Sequence, residues 1–133
     1  MSLSPAPSEI RVVAIAIVHD GRLLVVHKLS GGAWILPGGK PEPGESEIET
    51  IQREVREELS CTAVDLEPLG LFVDKAAHQD GARIRLMVYT GSLRGAPQPG
   101  REIKRLRWAP LAEIDDLAPV HAQINPVLIS RFS

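Results

Sequence analysis

The sequence has little cysteine, almost no net charge and no long apolar run. Its single cysteine, Cys61, excludes an internal disulfide and fits a reducing compartment, the cytoplasm. Fifteen basic and seventeen acidic side chains leave a net charge of −2, which gives no general attraction to nucleic acid or to a membrane. No apolar stretch approaches the roughly 20 residues of a membrane-spanning helix. The composition is typical of a globular protein.

The N-terminal residues "MSLSPAPSE" have neither the basic start nor the apolar segment of a secretion signal. We expect residues 1–9 to form a flexible lead-in. Because a chain of 133 residues is long enough to close one core and too short for two, residues 10–133 are predicted to form a single domain.

Two apolar runs follow the lead-in, in "IRVVAIAIVHDGRLLVVHK". They predict two strands joined at Asp20-Gly21, a dipeptide that suits a two-residue hairpin turn with positive φ. The first strand is apolar nearly throughout. Such a strand is typically covered on both faces, so we expect it in the middle of a layered fold.

Residues 29–45 contain five glycines and three prolines, which exclude regular structure apart from a short strand at residues 34–36. A helix is predicted next, because Ser46 and Glu49 have the spacing of a capping box. The helix should end near Leu59 or Ser60. Its apolar residues recur at helical spacing and form one stripe: Ile48, Ile51, Val55 and Leu59.

The rest of the chain predicts three strands, in "LGLFVD", "ARIRLMVYTGSL" and "IKRLRWAPL". Residues 75–81 and 94–102 are predicted loops, and "LAEID" a short helical turn. Asn125 followed by Pro126 indicates the N-cap and first residue of a C-terminal helix. Mixed strands and helices of this kind predict an α/β (α+β) sandwich, with helices packed on a mixed sheet.

The predicted first helix carries three glutamates, Glu54, Glu57 and Glu58, on the side roughly opposite its apolar stripe. A solvated charged face would explain them. However, carboxylates grouped on a rigid helix are also hard oxygen ligands suited to Mg2+ or Mn2+. The preceding Gly-Gly allows a ligand to approach the backbone, and a helix N-terminus favours phosphate. Together these features suit metal-assisted attack of water on a phosphate.

The segment "GKPEPGESEIETIQREVREELSC", residues 39–61, resembles the Nudix box. That pattern runs Gly, five residues, Glu, seven residues, Arg-Glu, an aliphatic residue, any residue, Glu-Glu, any residue, Gly and an aliphatic residue. Seven positions match it in register: Gly39, Glu45, Arg53, Glu54, Val55, Glu57 and Glu58. Ser60 replaces the usual glycine, and Cys61 fills the last position. The preceding "WILPGG" and the strand order extend the resemblance over most of the chain.

The resemblance implies a Nudix fold, with a mixed sheet between helices, and a Mg2+-dependent hydrolase of nucleoside diphosphate derivatives. It implies that the metal ligands are Glu54, Glu57 and Glu58, with the carbonyl of Gly38 as a further ligand and Mn2+ as a substitute ion. Glu54 or Glu57 would also help to activate water.

The resemblance gives roles to three further residues. Arg53 is similar to the arginine that orients the glutamates, and Glu45 to the residue that steadies the loop–helix junction. Members of the family often supply another acidic residue from a distant loop. Glu102 is the candidate here, with a plain surface glutamate as the alternative.

Specificity comes from outside the box. "INPVLISRF" resembles the "NEPVI" segment of MutT-type hydrolases, where an asparagine contacts the base, and Asn125 would be its counterpart. Leu36, Gly39 and Lys40 are the other expected substrate contacts. Three hypotheses remain: hydrolysis of a nucleoside triphosphate such as 8-oxo-dGTP, hydrolysis of ADP-ribose, a nucleotide sugar or a dinucleotide, and a binding module without catalysis. No nucleic-acid polymer or membrane is expected as a partner. The protein itself is expected to form a homodimer.

Overall fold

The computed structural model describes residues 9–75 and 82–132. Its elements, in chain order, are β1 (Glu9–Ala16), β2 (Val18–His19), β3 (Arg22–Lys28), β4 (Gly38–Gly39), α1 (Glu47–Leu59), β5 (Thr62–Lys75), β6 (Arg83–Arg94), β7 (Ile103–Pro110) and α2 (His121–Phe132). Of the predicted lead-in, residues 1–8 lie outside the described residues, and Glu9 already begins β1. Neither helix in the described ranges is long and apolar enough to cross a membrane.

The strands form a four-stranded sheet, in the order β4-β1-β6-β5, and a three-stranded sheet, in the order β2-β3-β7. Strands β1 and β6 are parallel, whereas the other paired strands are antiparallel, so the larger sheet is mixed. The predicted α/β sandwich is confirmed.

Strand β1 is covered on both faces, as its apolar sequence predicts. Val13 and Ile15 pack in the cluster that contains the apolar stripe of α1, whereas Ala14 and Ala16 pack in the cluster that contains Ile124 of α2. Successive side chains of a strand point to opposite faces of its sheet. The two helices therefore lie on opposite sides of the four-stranded sheet.

The turn at Asp20-Gly21 is confirmed, with φ of 50° and 72° at the two residues. Both angles are positive, as the favoured two-residue hairpin turn requires. The hairpin joins the short β2 to β3, however, and β1 belongs to the other sheet. The long apolar run is thus shared between two sheets, with the break at Ile17.

The predicted strand at residues 34–36 is wrong. Trp34 and Ile35 make only isolated bridges, to Leu117 and Val26. The regular pairing falls on the Gly-Gly of β4, which lies antiparallel to β1. A side chain at Gly38 would collide with the carbonyl of Val13 and with Ala14, so this edge can be approached closely only by glycine.

Later elements also differ from the sequence prediction. Residues 111–115 form turns and no helix, and β5 begins at Thr62, well before "LGLFVD". Lys75 ends β5, and the rest of the predicted loop, residues 76–81, lies outside the described residues. Loop 95–102 is confirmed, and Cys61 is buried, as a small apolar residue would be.

The predicted start of the C-terminal helix at Pro126 is wrong, because α2 begins five residues earlier, at His121. Asn125 and Pro126 lie inside it. The side chain of Asn125 is buried, donates to the carbonyl of Leu111 and bonds to His121. These tertiary hydrogen bonds outweigh the local preference of asparagine for a helix N-cap.

Candidate active site

Helix α1 is fixed at both ends and along its length. Both bonds of the capping box form between Ser46 and Glu49, at 3.0 and 3.1 Å. The helix ends at Leu59, and Ser60 takes the left-handed cap conformation, with φ 58° and ψ 34°. The hydroxyl of Tyr89 donates to Glu47 at 2.6 Å and ties the helix to the sheet. The glutamates of α1 thus project from a rigid support.

Arg53 lies at the centre of a hydrogen-bonded network. Its guanidinium donates to both carboxylate oxygens of Glu45, at 2.8 and 3.0 Å, to Glu54 at 2.7 Å and to the carbonyl of Lys40 at 3.1 Å. A longer contact of 3.5 Å reaches Glu57. Arg53 therefore joins the loop before the helix to two of its glutamates.

Glu45 is held in its ionised form. Besides Arg53, the hydroxyl of Thr50 donates to it at 2.7 Å and the backbone N–H of Glu42 at 3.0 Å. The guanidinium of Arg53 is the main reason that the pKa of Glu45 falls to about 2. Glu45 thus ties the loop before α1 to Thr50 and Arg53 of the helix.

Glu54 and Glu58 lie against the Gly-Gly strand β4. The N–H of Gly38 donates to Glu58 at 2.9 Å, and a Cβ added at Gly39 would fall 2.5 Å from the carboxyl of Glu54. Burial raises the pKa of Glu54, an effect that Arg53 partly offsets, and raises the pKa of Glu58 to about 7. Both carboxylates are therefore packed against backbone with little water around them.

Glu57 has a different setting from its neighbours. Its side chain is 37% exposed, and its one polar contact among the described residues is the 3.5 Å approach of Arg53. It therefore stays free to take up another partner from solution.

The loop that carries Glu102 is anchored on the C-terminal end of α1. The N–H groups of Gly100 and Arg101 donate to the carbonyls of Glu58 and Glu57, both at 2.8 Å. A side chain at Gly100 would collide with the Glu57 carbonyl. Glu102 itself has a φ of 66°, and the N–H of Leu29 donates to its carbonyl at 2.9 Å. The structure thus brings Glu102 to the same cavity as Glu54.

That cavity has a volume of about 530 Å³ and two chemically different ends. One end is charged and is lined by Lys28, Gly38, Gly39, Lys40, Glu42, Arg53, Glu54 and Glu102. The other end is apolar. Its floor is a ladder of paired side chains from β1 and β6, Ile10 beside Ile84 and Val12 beside Leu86, on the α2 side of the sheet. The cavity therefore runs from that sheet face across the edge strand β4 to α1.

The predicted substrate contacts do not all lie in the cavity. Leu36 and Lys40 line the cavity, whereas Asn125 does not, since both of its hydrogen bonds are internal. Close to Leu36 in the sequence but outside the cavity, Trp34 is stacked on His27 with ring centroids 5.2 Å apart and is covered by Arg107 at 4.7 Å.

Sequence reasoning missed the apolar floor, Lys75 and His121, all of which line the cavity. The alternating residues of β1, at positions 10, 12 and 14, carried a signal for one shared face. That signal does not separate a cavity wall from a packed core. His121 carried no signal of its own, because its setting depends on the tertiary position of α2.

Within residues 9–75 and 82–132, no group of three His, Cys, Asp or Glu side chains is arranged to hold a metal ion. One oxygen of Glu54 accepts from Arg53, and one oxygen of Glu58 accepts from the N–H of Gly38. The donors nevertheless are all oxygens, which suits a hard divalent ion. Mg2+ commonly binds one or two carboxylates and completes its shell with water and substrate phosphate. The residues present fit such an ion.

Comparison with known proteins identifies the family. The model of the NUDIX domain matches residues 9–131. A Mycobacterium tuberculosis protein named "Putative 8-oxo-dGTP diphosphatase 2" is 34% identical over 110 residues, which cover 80% of this chain and 77% of that protein. The CTP pyrophosphohydrolase of Escherichia coli is 39% identical over 74 residues, covering 53% of this chain and 50% of that one.

Solved structures agree with this assignment. The solution structure of the E. coli ORF135 protein superposes with a TM-score of 0.75 at 28% identity, and the match covers 96% of this chain and 94% of that one. Nudix hydrolases act on small nucleotide substrates and generally depend on a divalent metal. The extent of the family match, together with the named hydrolases among the relatives, shows that this chain belongs to the NUDIX family and is a pyrophosphohydrolase.

Proposed function

We propose that the chain hydrolyses a nucleoside triphosphate, with an oxidised purine nucleotide such as 8-oxo-dGTP as the leading candidate, to the monophosphate and pyrophosphate. The observation that carries this proposal is the two-ended cavity. Its charged end has lysine and arginine side chains for phosphates, and its apolar end offers a flat aliphatic floor for a base. A cavity of about 530 Å³ falls in the range of known small-molecule sites.

The proposed metal site consists of Glu54, Glu57 and Glu58, with the carbonyl of Gly38 as a further ligand. When bound, Mg2+, or Mn2+ in its place, would neutralise phosphate charge and lower the pKa of the attacking water. Arg53 donates one hydrogen bond to Glu54 and two to Glu45, so it would hold Glu54 beside the proposed metal site.

The remaining roles follow from position. Glu54 or Glu57 takes the proton from the attacking water, and Glu102, which lines the same cavity as Glu54, is the candidate to assist. Water adds to phosphorus, the phosphorus–oxygen bond between the α- and β-phosphates breaks, and the nucleoside monophosphate and pyrophosphate are released. Lys40, Gly39 and Leu36 are proposed substrate contacts because all three line the cavity.

The relatives' names support the choice of a triphosphate. The M. tuberculosis protein is named for 8-oxo-dGTP and the E. coli protein for CTP, both nucleoside triphosphates. Hydrolysis of ADP-ribose or a nucleotide sugar remains the alternative within the family. The binding module without catalysis is set aside, since the chain retains the glutamates and arginine of the box.

The decisive experiment is a substrate panel with identification of products. Purified protein with Mg2+ is offered 8-oxo-dGTP, the common nucleoside triphosphates, ADP-ribose and nucleotide sugars. The proposal predicts a monophosphate and pyrophosphate from at least one triphosphate. Two monophosphates from ADP-ribose, with triphosphates left intact, would establish the alternative instead.

The Glu58→Gln variant tests the proposed metal site. Loss of a carboxylate ligand should reduce kcat/KM by about 100-fold or more, as for other metal-site residues. The exposed Glu113 offers a matched control, because Glu113→Gln makes the same chemical change on a loop outside the cavity. Full activity in Glu58→Gln would show that the ligand assignment is wrong.

Size-exclusion chromatography of the same samples tests the expected homodimer. The cytoplasmic location stays a prediction from the single cysteine.

A further inference from the structure

His121 has an unusual position, because it lines the apolar end of the cavity although only 1% of the residue is exposed. It is the first residue of α2, and the Val120 beside it also lines the cavity. The neighbouring lining residues at this end are aliphatic, apart from the exposed Lys75 at the end of β5. A buried polar group facing an apolar pocket needs a hydrogen-bond partner, or its burial costs free energy.

The hydrogen bonds of Asn125 decide which nitrogen of His121 carries the proton. The amide nitrogen of Asn125 donates to the carbonyl of Leu111 at 2.9 Å, and a carbonyl can only accept. This bond fixes the orientation of the amide, so its oxygen faces His121 Nδ1 at 2.9 Å. An amide oxygen also only accepts. Nδ1 of His121 must therefore carry a hydrogen and donate it.

The other ring nitrogen, Nε2, is then left with a lone pair. Burial lowers the pKa of His121 below its ordinary value, so the ring is neutral near pH 7 and Nε2 carries no hydrogen. Within the described part of the chain, Nε2 has no hydrogen-bond partner. The side-chain atoms there that are both unpartnered and fully enclosed do not include Nε2, so this nitrogen is not fully enclosed. Nε2 therefore keeps some accessible surface, and it belongs to a residue that lines the cavity.

We propose that His121 is a specificity-determining residue whose Nε2 accepts a hydrogen bond from an N–H group on the edge of the nucleobase. The inference rests on the proposed function for its substrate class. Bases that present an amino or ring N–H group at this point, such as cytosine, adenine or 8-oxoguanine, are bound and hydrolysed in preference to counterparts that present an oxygen there. A keto oxygen there would place two acceptors against each other with no water between them.

Asn125 is a positioning residue in this arrangement. The sequence pattern predicts that Asn125 contacts the base, but both polar groups of its side chain are already hydrogen-bonded, to Leu111 and to His121. Its effect on the base passes through the imidazole, whose protonation it sets. The position of Asn125 inside α2 therefore fixes the protonation of His121.

The first test observes the histidine directly. Protein labelled with 15N in histidine is studied by NMR in EDTA, so that nucleotide binds without turnover. The expected spectrum has Nδ1 of His121 protonated and Nε2 bare, and CTP should shift the Nε2 resonance more than UTP does. The exposed His19 is the internal control, because its side chain is 76% exposed and it does not line this cavity. A protonated Nε2, or an Nε2 resonance unmoved by CTP, would overturn the proposal.

The second test is kinetic and uses pairs of nucleotides that differ at one group, CTP with UTP and dATP with dITP. The wild type should favour the amino member of a pair by about 10-fold in kcat/KM, the value of one good hydrogen bond. His121→Phe, which keeps the ring but removes the acceptor, should bring that ratio close to one. His121→Gln offers either a donor or an acceptor and should lower the ratio while the protein stays folded. The control His19→Gln should leave it unchanged.

The two proposals fail separately. If triphosphates are hydrolysed but the amino and keto members react equally, and the variants change nothing, the role of His121 is refuted and the proposed function stands. If no triphosphate is hydrolysed while NMR still shows the preference for CTP, the proposed function fails and the role of His121 stands.

Discussion

The charged end of the cavity comes mostly from one stretch of chain, residues 38–58, whereas the apolar end combines β1, β6 and α2. At the charged end a hydrogen-bonded network joins loop and helix: Arg53 contacts four residues, and Glu45 accepts from three. At the apolar end the contacts are aliphatic, and His121 and Asn125 supply the internal polar pair.

This difference indicates that the charged end controls the rate of hydrolysis and that the apolar end controls base preference. Hydrogen bonds depend steeply on distance and angle, so a small displacement at the charged end should reduce the rate of hydrolysis. Aliphatic contacts are tolerant of small shifts, so changes at the apolar end should alter base preference and stability more than rate. Substitutions at the two ends of the cavity and in α1 test that division, from the largest expected effect to the smallest.

Among the substitutions that disturb geometry without removing a carboxylate, Gly39→Ala should cause the largest loss. Its Cβ would fall 2.5 Å from the carboxyl of Glu54 and push that side chain out of place. Because a displacement of about 1 Å can cost 100-fold in rate, we expect kcat/KM to fall by about 100-fold with the fold retained. Gly70→Ala is the matched control, since its Cβ would meet only Phe72, at 3.7 Å. Steady-state kinetics and thermal unfolding of both variants provide the measurement, and near-normal activity of Gly39→Ala would refute the tight packing of Glu54.

Arg53→Lys should reduce activity by about 10- to 100-fold, as loss of an orienting partner commonly does. A lysine ammonium keeps the charge but cannot reach Glu45, Glu54 and the Lys40 carbonyl at once, as the planar guanidinium does. Arg56→Lys makes the same change on the exposed face of the same helix and is the control. Equal kcat values for the two variants would mean that charge alone, without geometry, explains Arg53.

The same contrast explains what the sequence could predict. The spacing of Gly39, Glu45, Arg53 and Glu54 lies within one helix and its loop, so local geometry is enough to bring those residues together. The capping box and the end of α1 depend on neighbours in sequence, and both were predicted correctly. Local hydrogen bonding and helical periodicity therefore account for most of the charged end.

The apolar end could not be predicted in this way, because its geometry depends on tertiary contacts. Asn125 has the sequence features of a helix N-cap, yet the carbonyl of Leu111 and the ring of His121 hold it inside α2. Ile10 and Ile84 come together only through the parallel pairing of β1 with β6. The docking of Gly100 on the Glu57 carbonyl, which brings Glu102 to the cavity, is equally non-local.

His121 should make the protein less stable in mild acid. Burial lowers the pKa of the folded imidazole, so as pH falls below the ordinary value of about 6.5 the unfolded chain takes up a proton before the folded one does. Stability is therefore complete above that pH and declines below it, by about 1.4 kcal/mol for each unit that separates the two pKa values. His121→Phe should lack this slope, whereas His19→Gln should keep it. Urea unfolding between pH 7.5 and 5 measures it, and the difference between variants cancels the contribution of Glu58, which all of them share.

Ser60→Gly should have the smallest effect and the opposite sign, a gain in stability of about 0.5–1 kcal/mol. Ser60 holds a left-handed conformation, with φ 58°, that glycine adopts at lower cost. Ser92→Gly is the control, because Ser92 is exposed in β6 without a positive φ, and glycine there should reduce stability by a similar amount. Activity should not change in Ser60→Gly, since the serine already ends the helix where glycine would. If activity rose several-fold instead, Ser60 would be displacing Glu57 and Glu58, and the rigid charged end would be less well aligned than its hydrogen bonds indicate.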